Sequence, residues 1–414
     1  MENDSLTEIV PSNWKVRKSL IKVVGVGGGG CNSVEYMFNK HIEGCEFVVC
    51  NTDSQALGAC RVSNKIQLGE GLGAGTDPIS GRNAAISSQE EIAEKLFGTM
   101  PDMLFITCGM GGGTGTGAAP VIASMSRERG ILTVAVVTIP FRDNGTEAMT
   151  KAQDGIAELE KNVDSLLIID NEKLYEHYPD LLCQDAFPKV DDVLFIAVKG
   201  IIDIISKNGH INVDFRDVKT MMTDSGMALM GYGEGTGENR IEDAVKGAFE
   251  SPLLNGHDLN TAQNVMLNIT VGLNDKGLTM IEMKKIDNLV RQYIGKANMF
   301  KKGQVWDPDP EFGDKVTITA IVTGFDVELD GMGFDGDEST IIIPADYHYD
   351  RNVAAQNGIT LKKMQSQKIG FNNKAIKKPA VFGASGKPAL IIDRDSDKAE
   401  LENTTALRRR QKNE

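Results

Sequence analysis

The sequence predicts an α/β protein in which a parallel-sheet domain is joined by a long buried helix to a second, smaller α/β domain. Three observations support this. Strands that are apolar throughout alternate with helical segments, glycine clusters follow two of those strands, and one later helix is apolar on nearly every side. Strands of the first kind are typical of a parallel sheet covered on both faces, and such a helix is typical of a protein interior.

The length of 414 residues allows two domains and a tail, taking roughly 150 residues per domain. Residues 1–19 are polar and predict a loose arm. We expect a first domain over 20–190, a central helix over 191–208 and a second domain over 209–325. Residues 326–414 are rich in Asp, Asn, Lys, Gly and Ser, which predicts a mostly disordered linker ending in a short basic peptide.

The first domain repeats the order strand, glycine turn, helix. Ile21 to Val24 is a β-branched strand, and a glycine turn leads from it into a helix over Cys31 to Asn39. Met103 to Cys108 is a strand followed by a second glycine cluster and a helix over Ala118 to Arg129. Further strands are predicted at Glu46 to Cys50, Ile131 to Ile139 and Asp164 to Ile169.

The second domain is predicted from mixed elements without glycine-rich loops after its strands. Helices are expected around Ala228, from Ile241 to Phe249 and from Ile281 to Ile294. Strands are expected from Val265 to Val271 and from Val316 to Gly324.

Composition and charge narrow the classes of function. The composition, 41% hydrophobic and 25% charged, is that of an ordinary globular protein, and the net charge of −14 argues against nucleic-acid binding. An anionic ligand must then be held by backbone N–H groups, helix ends and metal. Apolar stretches such as Ile131 to Phe141 are far short of the ~20 residues of a membrane span, and no signal segment is seen. We expect a cytoplasmic protein that meets a membrane only indirectly.

The cysteine pattern argues against a zinc site. The six cysteines form no C-x-x-C pair, and their surroundings are apolar or rich in glycine. Free, buried thiols in a reducing compartment are the expected state.

The segment Gly109 to Gly117 is the strongest indication of function. It follows a strand, opens a helix, and holds five glycines in the seven residues from Gly111. Without Cβ atoms, consecutive N–H groups can converge on phosphate oxygens, and the start of the helix adds partial positive charge. The hydroxyls of Thr114 and Thr116 add donors. A flexible loop is the alternative, which so dense a cluster disfavours.

Two other glycine segments leave alternatives open. Gly25 to Gly30 fits G-x-G-x-x-G, with Asp53 ending the next strand, so an NAD-dependent oxidoreductase or a plain tight turn would also fit. A Walker P-loop does not fit, because Gly386-Lys387 is followed by proline. The segment Gly69 to Pro78 predicts either a flap over the phosphates or a surface loop.

Acidic residues flank the predicted central helix. Phe187 could stack on a base and Asp191-Asp192 could accept hydrogen bonds from guanine, although a core phenylalanine and a helix cap are alternatives. Asp214 and Asp217 could share one water as a polarising pair, or Asp214 could simply cap a helix. Asp214 and Asp217 lie roughly a helix length, ~25 Å, from the glycine loops, so within one chain they could not touch a nucleotide bound at those loops.

Together these segments resemble the FtsZ family of bacterial tubulin homologues. Gly109 to Gly117 is similar to the tubulin signature loop, Gly25 to Asn32 to the first phosphate loop, and Asn212 to Asp217 to the synergy loop. The resemblance extends from about Leu20 to Phe325. It implies a tubulin-like fold whose second domain inserts its synergy loop into the neighbouring subunit's nucleotide site.

The resemblance implies a GTPase of bacterial cell division, located at the division site, that binds GTP or GDP with Mg²⁺ and joins copies of itself head to tail into filaments. Asn212, Asp214 and Asp217 would act on the next subunit's GTP by orienting the attacking water. Gln55 would lie near the Mg²⁺, and division proteins could bind the C-terminal peptide at Ala406 to Arg408. The expected nucleotide contacts are Gly28, Gly29, Gly30, Asn32, Gly73, Ala74, Gly75, Gly111, Gly112, Gly113, Thr114, Gly115, Thr116, Gly117, Asn144, Phe187 and Asp192.

Two positions depart from the family's pattern. Where the family usually carries a glutamate and an arginine after Pro140-Phe141, this chain has Asn144 and Ala148. Losing an arginine contact to phosphate costs on the order of 1.5–3 kcal/mol. Arg142 and Lys151 are candidates to replace it. The departure leaves open a second hypothesis, a divergent paralogue that binds nucleotide and co-assembles with weak turnover.

Overall fold

A computed structural model describes residues 20–172, 183–206, 209–211, 213–250, 259, 262–274, 276–295, 297–307 and 309–324. The predicted arm over 1–19 and the predicted linker and peptide over 326–414 lie outside the described residues.

Helices and strands alternate through the first half of the chain and mix in the second. The helices are α1 (Gly27–Asn39), α2 (Ser54–Ala59), α3 (Pro78–Ser87), α4 (Gln89–Phe97), α5 (Thr114–Arg127), α6 (Thr146–Glu160), α7 (Cys183–Ser206), α8 (Phe215–Met222), α9 (Arg240–Phe249) and α10 (Met280–Tyr293), with 3-10 turns at Arg142–Asn144 and Pro310–Phe312. The strands are β1 (Ile21–Val26), β2 (Cys45–Asn51), β3 (Lys65–Gln67), β4 (Met103–Gly109), β5 (Leu132–Ile139), β6 (Ser165–Asp170), β7 (Gly209–Ile211), β8 (Gly226–Gly235), β9 (Asn264–Gly272), β10 (Met299–Asp307) and β11 (Val316–Thr323).

All the described strands join one sheet, in the order β3-β2-β1-β4-β5-β6-β8-β11-β9-β10-β7. The strands from β3 to β8 in this order pair in parallel. Beyond them β11 is antiparallel to both β8 and β9, β10 is parallel to β9, and β7 is antiparallel to β10. The predicted parallel sheet is confirmed, and it continues without a break into the second half of the chain.

The sheet is covered on both faces, as its apolar strands predict. One core contains buried residues of α4, α5, α6, α9 and α10, and the other contains those of α1, α2, α7 and α8. Strand residues alternate between the two: Val24 and Val26 face the first core, and Ile21 and Val23 face the second.

Helix α7 is the predicted central helix, and most of its side chains between Leu194 and Ile204 are buried. Its apolar residues from Leu194 to Ile204 pack in the second core with strands from both halves of the sheet. A Cβ atom at Gly200 would lie 2.8 Å from Cγ2 of Thr319 on β11, so the helix approaches that strand closely. The helix begins at Cys183, well before the predicted start at residue 191.

Two helices begin earlier than predicted, within their glycine clusters. Helix α1 starts at Gly27 rather than Cys31, and α5 starts at Thr114 rather than Ala118. Glycine has low helix propensity, but packing outweighs it here. A Cβ at Gly30 would lie 2.3 Å from the carbonyl oxygen of Thr107, and one at Gly117 would lie 1.9 Å from that of Pro78.

The helix predicted around Ala228 is wrong, because Ala228 lies in β8. The segment contains Met, Ala and Leu, which favour helices, yet β8 is hydrogen-bonded to β6 on one side and β11 on the other. Ladder pairing and burial between two sheet neighbours override the local preference.

The described cysteines are free thiols. Burial raises the pKa of Cys31, Cys45 and Cys108 to about 12, so these thiols stay protonated at neutral pH. None of the described helices is long and apolar enough to cross a membrane.

Candidate functional site

The two glycine loops meet at one edge of the sheet. They follow β1 and β4, which pair in parallel with Val26 opposite Cys108, so both loops leave from the carboxyl ends of neighbouring strands. A Cβ at Gly29 would lie 3.4 Å from the amide nitrogen of Gly109. In open parallel sheets this edge is where ligands bind.

The loop after β4 is shaped by positions that admit only glycine. Gly111 has φ +92°, and a Cβ there would lie 2.9 Å from the carbonyl oxygen of Ala148. A Cβ at Gly115 would lie 2.4 Å from the carbonyl oxygen of Gly109. A side chain at either position would displace backbone, so this loop conformation requires glycine at both.

Three glycines leave the same surface open. Gly28, Gly29 and Gly112 are exposed, and Cβ atoms added to Gly28 or Gly112 would meet no atom within 4 Å. The backbone is therefore accessible at the start of α1 and just before α5. Accessible N–H groups at two helix starts fit an anionic ligand such as a phosphate group.

The two threonines predicted to donate to phosphate brace the loop. Thr114 Oγ1 lies 2.6 Å from Thr52 Oγ1 at the end of β2. The buried Thr116 hydroxyl accepts a hydrogen bond of 2.9 Å from the Gly111 N–H. These bonds join the start of α5 to β2 and hold Gly111 in its positive-φ conformation.

The third glycine segment is fixed against the other two. Gly73 N–H donates to the carbonyl oxygen of Thr52 at 2.8 Å. A Cβ at Gly113 would lie 2.7 Å from the carbonyl oxygen of Gly75 and 3.0 Å from Cβ of Ala74. The predicted residues of this segment therefore lie beside the loop after β4.

Asp77 ends this segment by capping α3. Its carboxylate accepts from Ile79 N–H and Ser80 N–H, each at 3.0 Å, and from the Ser80 hydroxyl at 2.5 Å. These hydrogen bonds lower the pKa of Asp77, and the bond from the Ser80 hydroxyl has the largest effect. The charge of Lys151 contributes in the same direction.

Helices α1 and α7 meet beside the first loop through their polar side chains. Ser33 Oγ donates to Asp191 at 2.7 Å, and Tyr36 donates to Asp192. Burial raises the pKa of Asp191, while the Ser33 bond opposes that shift. Asn32 is exposed on α1, one residue before Ser33. Phe187 belongs to α7, but its side chain lies outside the described residues.

The segment with the departures from the family pattern adjoins the site. Asn144 is exposed at the end of a 3-10 turn, and the carbonyl oxygen of Ala148 would lie 2.9 Å from a Cβ added at Gly111. One turn further along α6, Lys151 Nζ lies 2.6 Å from Glu147, with only 21% of the lysine side chain exposed. Arg142 is exposed, and its N–H donates to Glu172.

The candidate catalytic acids lie beyond the far end of α7. Asp214 caps α8 by accepting from the Asp217 N–H at 2.8 Å, which is the capping arrangement that the spacing left open. Both carboxylates reach the surface, and Asp217 forms an ion pair of 2.8 Å with Lys301. Asn212 lies outside the described residues.

Two polar residues of this edge were not predicted as site residues. Thr52 follows β2 and contacts Thr114, and Asn171 follows β6 with a buried Oδ1 that has no hydrogen-bond partner among the described residues. Both stand directly after a parallel strand at the edge where the glycine loops lie. That position in the strand order is the signal that could have identified them.

The candidate metal neighbour, Gln55, is exposed in the first turn of α2. Its N–H and that of Ala56 donate to Asp53, which caps the helix. In the described part of the chain, no three or more His, Cys, Asp or Glu side chains are grouped so that they could hold a metal ion.

Family profiles of known proteins match both halves of this chain. The profile of the Tubulin/FtsZ family GTPase domain matches residues 20–179, and that of the FtsZ family C-terminal domain matches residues 226–326. The cell division protein FtsZ of Azotobacter vinelandii is 47% identical over 76% of this chain and 79% of its own length. That of Pseudomonas aeruginosa is 46% identical over 75% and 79%.

A solved structure, the empty FtsZ dimer of M. jannaschii, has the same fold. It superposes with a TM-score of 0.68 at 39% identity, over 74% of this chain and 89% of its own. The oxidoreductase interpretation of Gly25 to Gly30 is wrong, since the profile that spans this loop is a GTPase domain. The chain therefore belongs to the Tubulin/FtsZ family and is a guanine-nucleotide-binding GTPase of the FtsZ type.

Proposed function

We propose that the protein is a bacterial cell-division GTPase that assembles head to tail into filaments and hydrolyses GTP where two subunits meet. One observation carries this proposal. Helix α1, which begins in the first glycine loop, contacts α7 at Asp191 and Asp192, whereas Asp214 and Asp217 follow the carboxyl-terminal end of α7 with their carboxylates at the surface. At 1.5 Å per residue, the ~15 residues from Asp191 to Ser206 span ~22 Å, so the two halves of the site would come together only between subunits.

The relatives support the same function. The bacterial proteins that match most of this chain are named for cell division, and the solved relative of M. jannaschii is described as a dimer. An end-to-end contact that joins unlike surfaces produces a filament when its rotation does not close into a ring.

The glycine loops would hold the phosphates of GTP. Backbone N–H groups around Gly28, Gly29 and Gly30 and from Gly112 to Thr116 would donate to phosphate oxygens, with Gly73 to Gly75 lining the third side; the N–H groups of Gly111 and Gly117 are taken by Thr116 and Gly113. The starts of α1 and α5 add partial positive charge. Because these donors are fixed before the ligand arrives, they can stabilise negative charge in the transition state without reorganising.

Guanine would lie between α1 and α7. Asn32 and Asp192 would hydrogen-bond to its edge, Phe187 would stack on its ring, and Asn144 would face the ribose side. Asp192 accepts from Tyr36 in this structure, so recognition of the base would exchange that partner. Mg²⁺ would lie beside Gln55 and neutralise phosphate charge.

The acids would act on the neighbouring subunit's nucleotide. Asp214 and Asp217, assisted by the Asn212 amide, would accept hydrogen bonds from a water molecule and aim its oxygen at the γ-phosphorus. The new bond from water to phosphorus forms as the bond to the bridging oxygen breaks, which releases GDP and inorganic phosphate.

A second candidate is a paralogue with weak turnover that co-assembles with a more active subunit. Asn144 and Ala148 favour it, since a carboxylate and a guanidinium of the family's pattern are missing there. Comparing GTP turnover and pelleting of the pure protein with those of the Asn144→Glu, Ala148→Arg double variant separates the two. A large gain in the variant would support the weak paralogue, and a small one the self-sufficient GTPase.

We further propose that the protein acts in the cytoplasm at the division site, and that division proteins bind its C-terminal peptide at Ala406 to Arg408. Its contact with the membrane would be indirect, through those proteins. Removing the peptide should leave assembly intact and abolish recruitment in cells, which fluorescence imaging of the truncated protein measures.

The central test is GTPase activity against protein concentration, with light scattering in parallel. We expect activity to rise more steeply than linearly near the assembly threshold. Asp217→Asn should keep GTP binding and lose turnover by a factor on the order of 100, because the water loses a negatively charged acceptor. The control is Asp224→Asn. Asp224 is an exposed acid that forms an ion pair with Arg127, and asparagine tolerates the positive φ of this position. Turnover strictly proportional to protein at every dilution would refute assembly dependence.

A further inference from the structure

The second acid of the proposed catalytic pair is already bound to a lysine. Lys301 on β10 places Nζ 2.8 Å from Oδ1 of Asp217 on α8. Asp217 raises the pKa of Lys301 through this hydrogen bond and its charge, and Asp214 adds to the shift. The two side chains are 42% and 31% exposed, so the pair lies where a second subunit could reach it.

Head-to-tail docking brings like charges together. The exposed end of α8 carries two carboxylates within one turn, and the opposite face would carry a nucleotide with several phosphate charges. Like charges repel each other, and this repulsion grows as docking excludes water from between them. The net charge of −14 adds to this repulsion. A cation at this contact should therefore stabilise subunit docking more than a cation elsewhere on the surface.

We propose that Lys301 is a positioning residue of the contact between subunits: it fixes the Asp217 carboxylate and offsets one of the two negative charges that α8 presents to the next subunit's phosphates. The inference rests on the proposed function, in which Asp214 and Asp217 act in trans. Arg216 is exposed between these acids, but the ion pair with Asp217 is formed by Lys301.

The neighbouring lysine provides a matched control. Successive residues of a strand point to opposite faces of the sheet, so Lys301 and Lys302 do not share surroundings. Lys302 pairs with Asp287 of α10 at 2.7 Å, nearly the same length as the Lys301 pair. Replacing either lysine removes one positive charge and one ion pair, but only Lys301 contacts a proposed catalytic acid.

The test compares Lys301→Met, Lys302→Met and Lys301→Arg in the full chain. The assembly threshold with GTP is measured by light scattering at about 50 and about 300 mM KCl, where screening lengths are roughly 14 and 6 Å. We expect Lys301→Met to raise the threshold several-fold at low salt and to recover toward the wild type at high salt, because salt screens the unbalanced carboxylates. Lys302→Met and Lys301→Arg should follow the wild type.

A structural role alone would not give this salt dependence. Equal shifts for Lys301→Met and Lys302→Met, or a Lys301→Met shift that high salt does not reduce, would overturn the inference. Thermal unfolding and GTP binding are measured for each variant, and Lys301→Gln replaces Lys301→Met should the latter be misfolded.

The double variant Lys301→Met, Asp217→Asn separates this inference from the function beneath it. If Lys301 acts through Asp217, the lysine change should have no further effect on the threshold in the Asp217→Asn background. A full effect there would refute the coupling. Wild-type turnover in Asp217→Asn alone would instead refute the proposed role of that acid in trans, whatever Lys301 does.

Discussion

The buried ion pair between Arg240 and Glu282 gives a quantitative prediction for stability. Arg240, 8% exposed, donates from Nε at 2.8 Å and from Nη2 at 2.9 Å to the two carboxylate oxygens of Glu282. Glu282 also accepts from the N–H and hydroxyl of Thr279, closing the capping box of α10. The change Glu282→Gln keeps the size of this side chain and its backbone N–H bond to Thr279, but it removes the charge and replaces one acceptor oxygen by an NH2 group.

The magnitude follows from the carboxyl's pKa. The Arg240 hydrogen bonds are the largest cause that lowers the pKa of Glu282 from 4.5 to about 2. One pKa unit corresponds to about 1.36 kcal/mol, so the upper limit is about 3 kcal/mol. The glutamate is 23% exposed, and solvent screens part of the interaction. We expect Glu282→Gln to lower the free energy of unfolding by about 2 kcal/mol at pH 7.

The assay is urea unfolding of both proteins from pH 7 to pH 3. A carboxyl whose pKa is lowered by folding contributes fully above its unfolded value, near 4.5, and loses that contribution as the pH falls toward about 2. The difference between the wild type and the variant should therefore be constant from pH 7 to about pH 5 and shrink below it.

A surface pair serves as the control. Glu91 and Lys95, one turn apart on α4, form an ion pair of 2.7 Å with both side chains at least 40% exposed. Glu91→Gln should change the free energy of unfolding by no more than about 0.5 kcal/mol. The reasoning fails if Glu282→Gln costs no more than Glu91→Gln at pH 7, or if its cost is undiminished at pH 3.

Two further predictions concern the nucleotide site. Gly111→Ala should destabilise the fold by about 1–2 kcal/mol, because of its positive φ and the nearby Ala148 carbonyl, whereas Gly112→Ala should keep the unfolding temperature and weaken GTP binding. Thermal unfolding and fluorescent-nucleotide titration measure both, and equal stabilities would contradict this account. Lys151→Met should weaken GTP binding about tenfold, the equivalent of one charge-assisted hydrogen bond, and Ala148→Arg should restore it in that background. Unchanged affinity in Lys151→Met would exclude this lysine as the substitute cation.

The strands of the first half and the positions of the glycine loops could be predicted because their signals are local. A strand such as Met103–Gly109 is apolar at nearly every residue, and the glycines that follow it form one continuous cluster. The helix starts were predicted late, since glycine lowers local helix propensity and only the packing of Gly30 and Gly117 against distant carbonyls explains their place in a helix.

What the sequence could not reveal depends on pairs far apart in the chain. Thr52 meets Thr114 across 62 residues, and Lys301 reaches Asp217 only because β10 passes beside α8. Neither pair has a pattern of spacing that reports it. The same holds for the continuation of the sheet through β6 and β8, since strand order is fixed by tertiary packing rather than by any one segment.

The junction of β6 and β8 has a mechanical consequence for a protein that works in a filament. Three residue pairs, from Ser165–Gly226 to Leu167–Ala228, join the halves of the sheet there, with two further N–H bonds from Ser225 and Gly226 to the carbonyl oxygen of Asp164, whereas β8 and β11 share eight pairs. The buried hydroxyl of Ser165 forms no hydrogen bond across this junction, because it has no partner among the described residues. Tension along a filament would therefore separate β6 from β8 before other strand pairs of the sheet. Helix α7, which packs against both halves of the sheet and contacts Thr319, would carry much of this load.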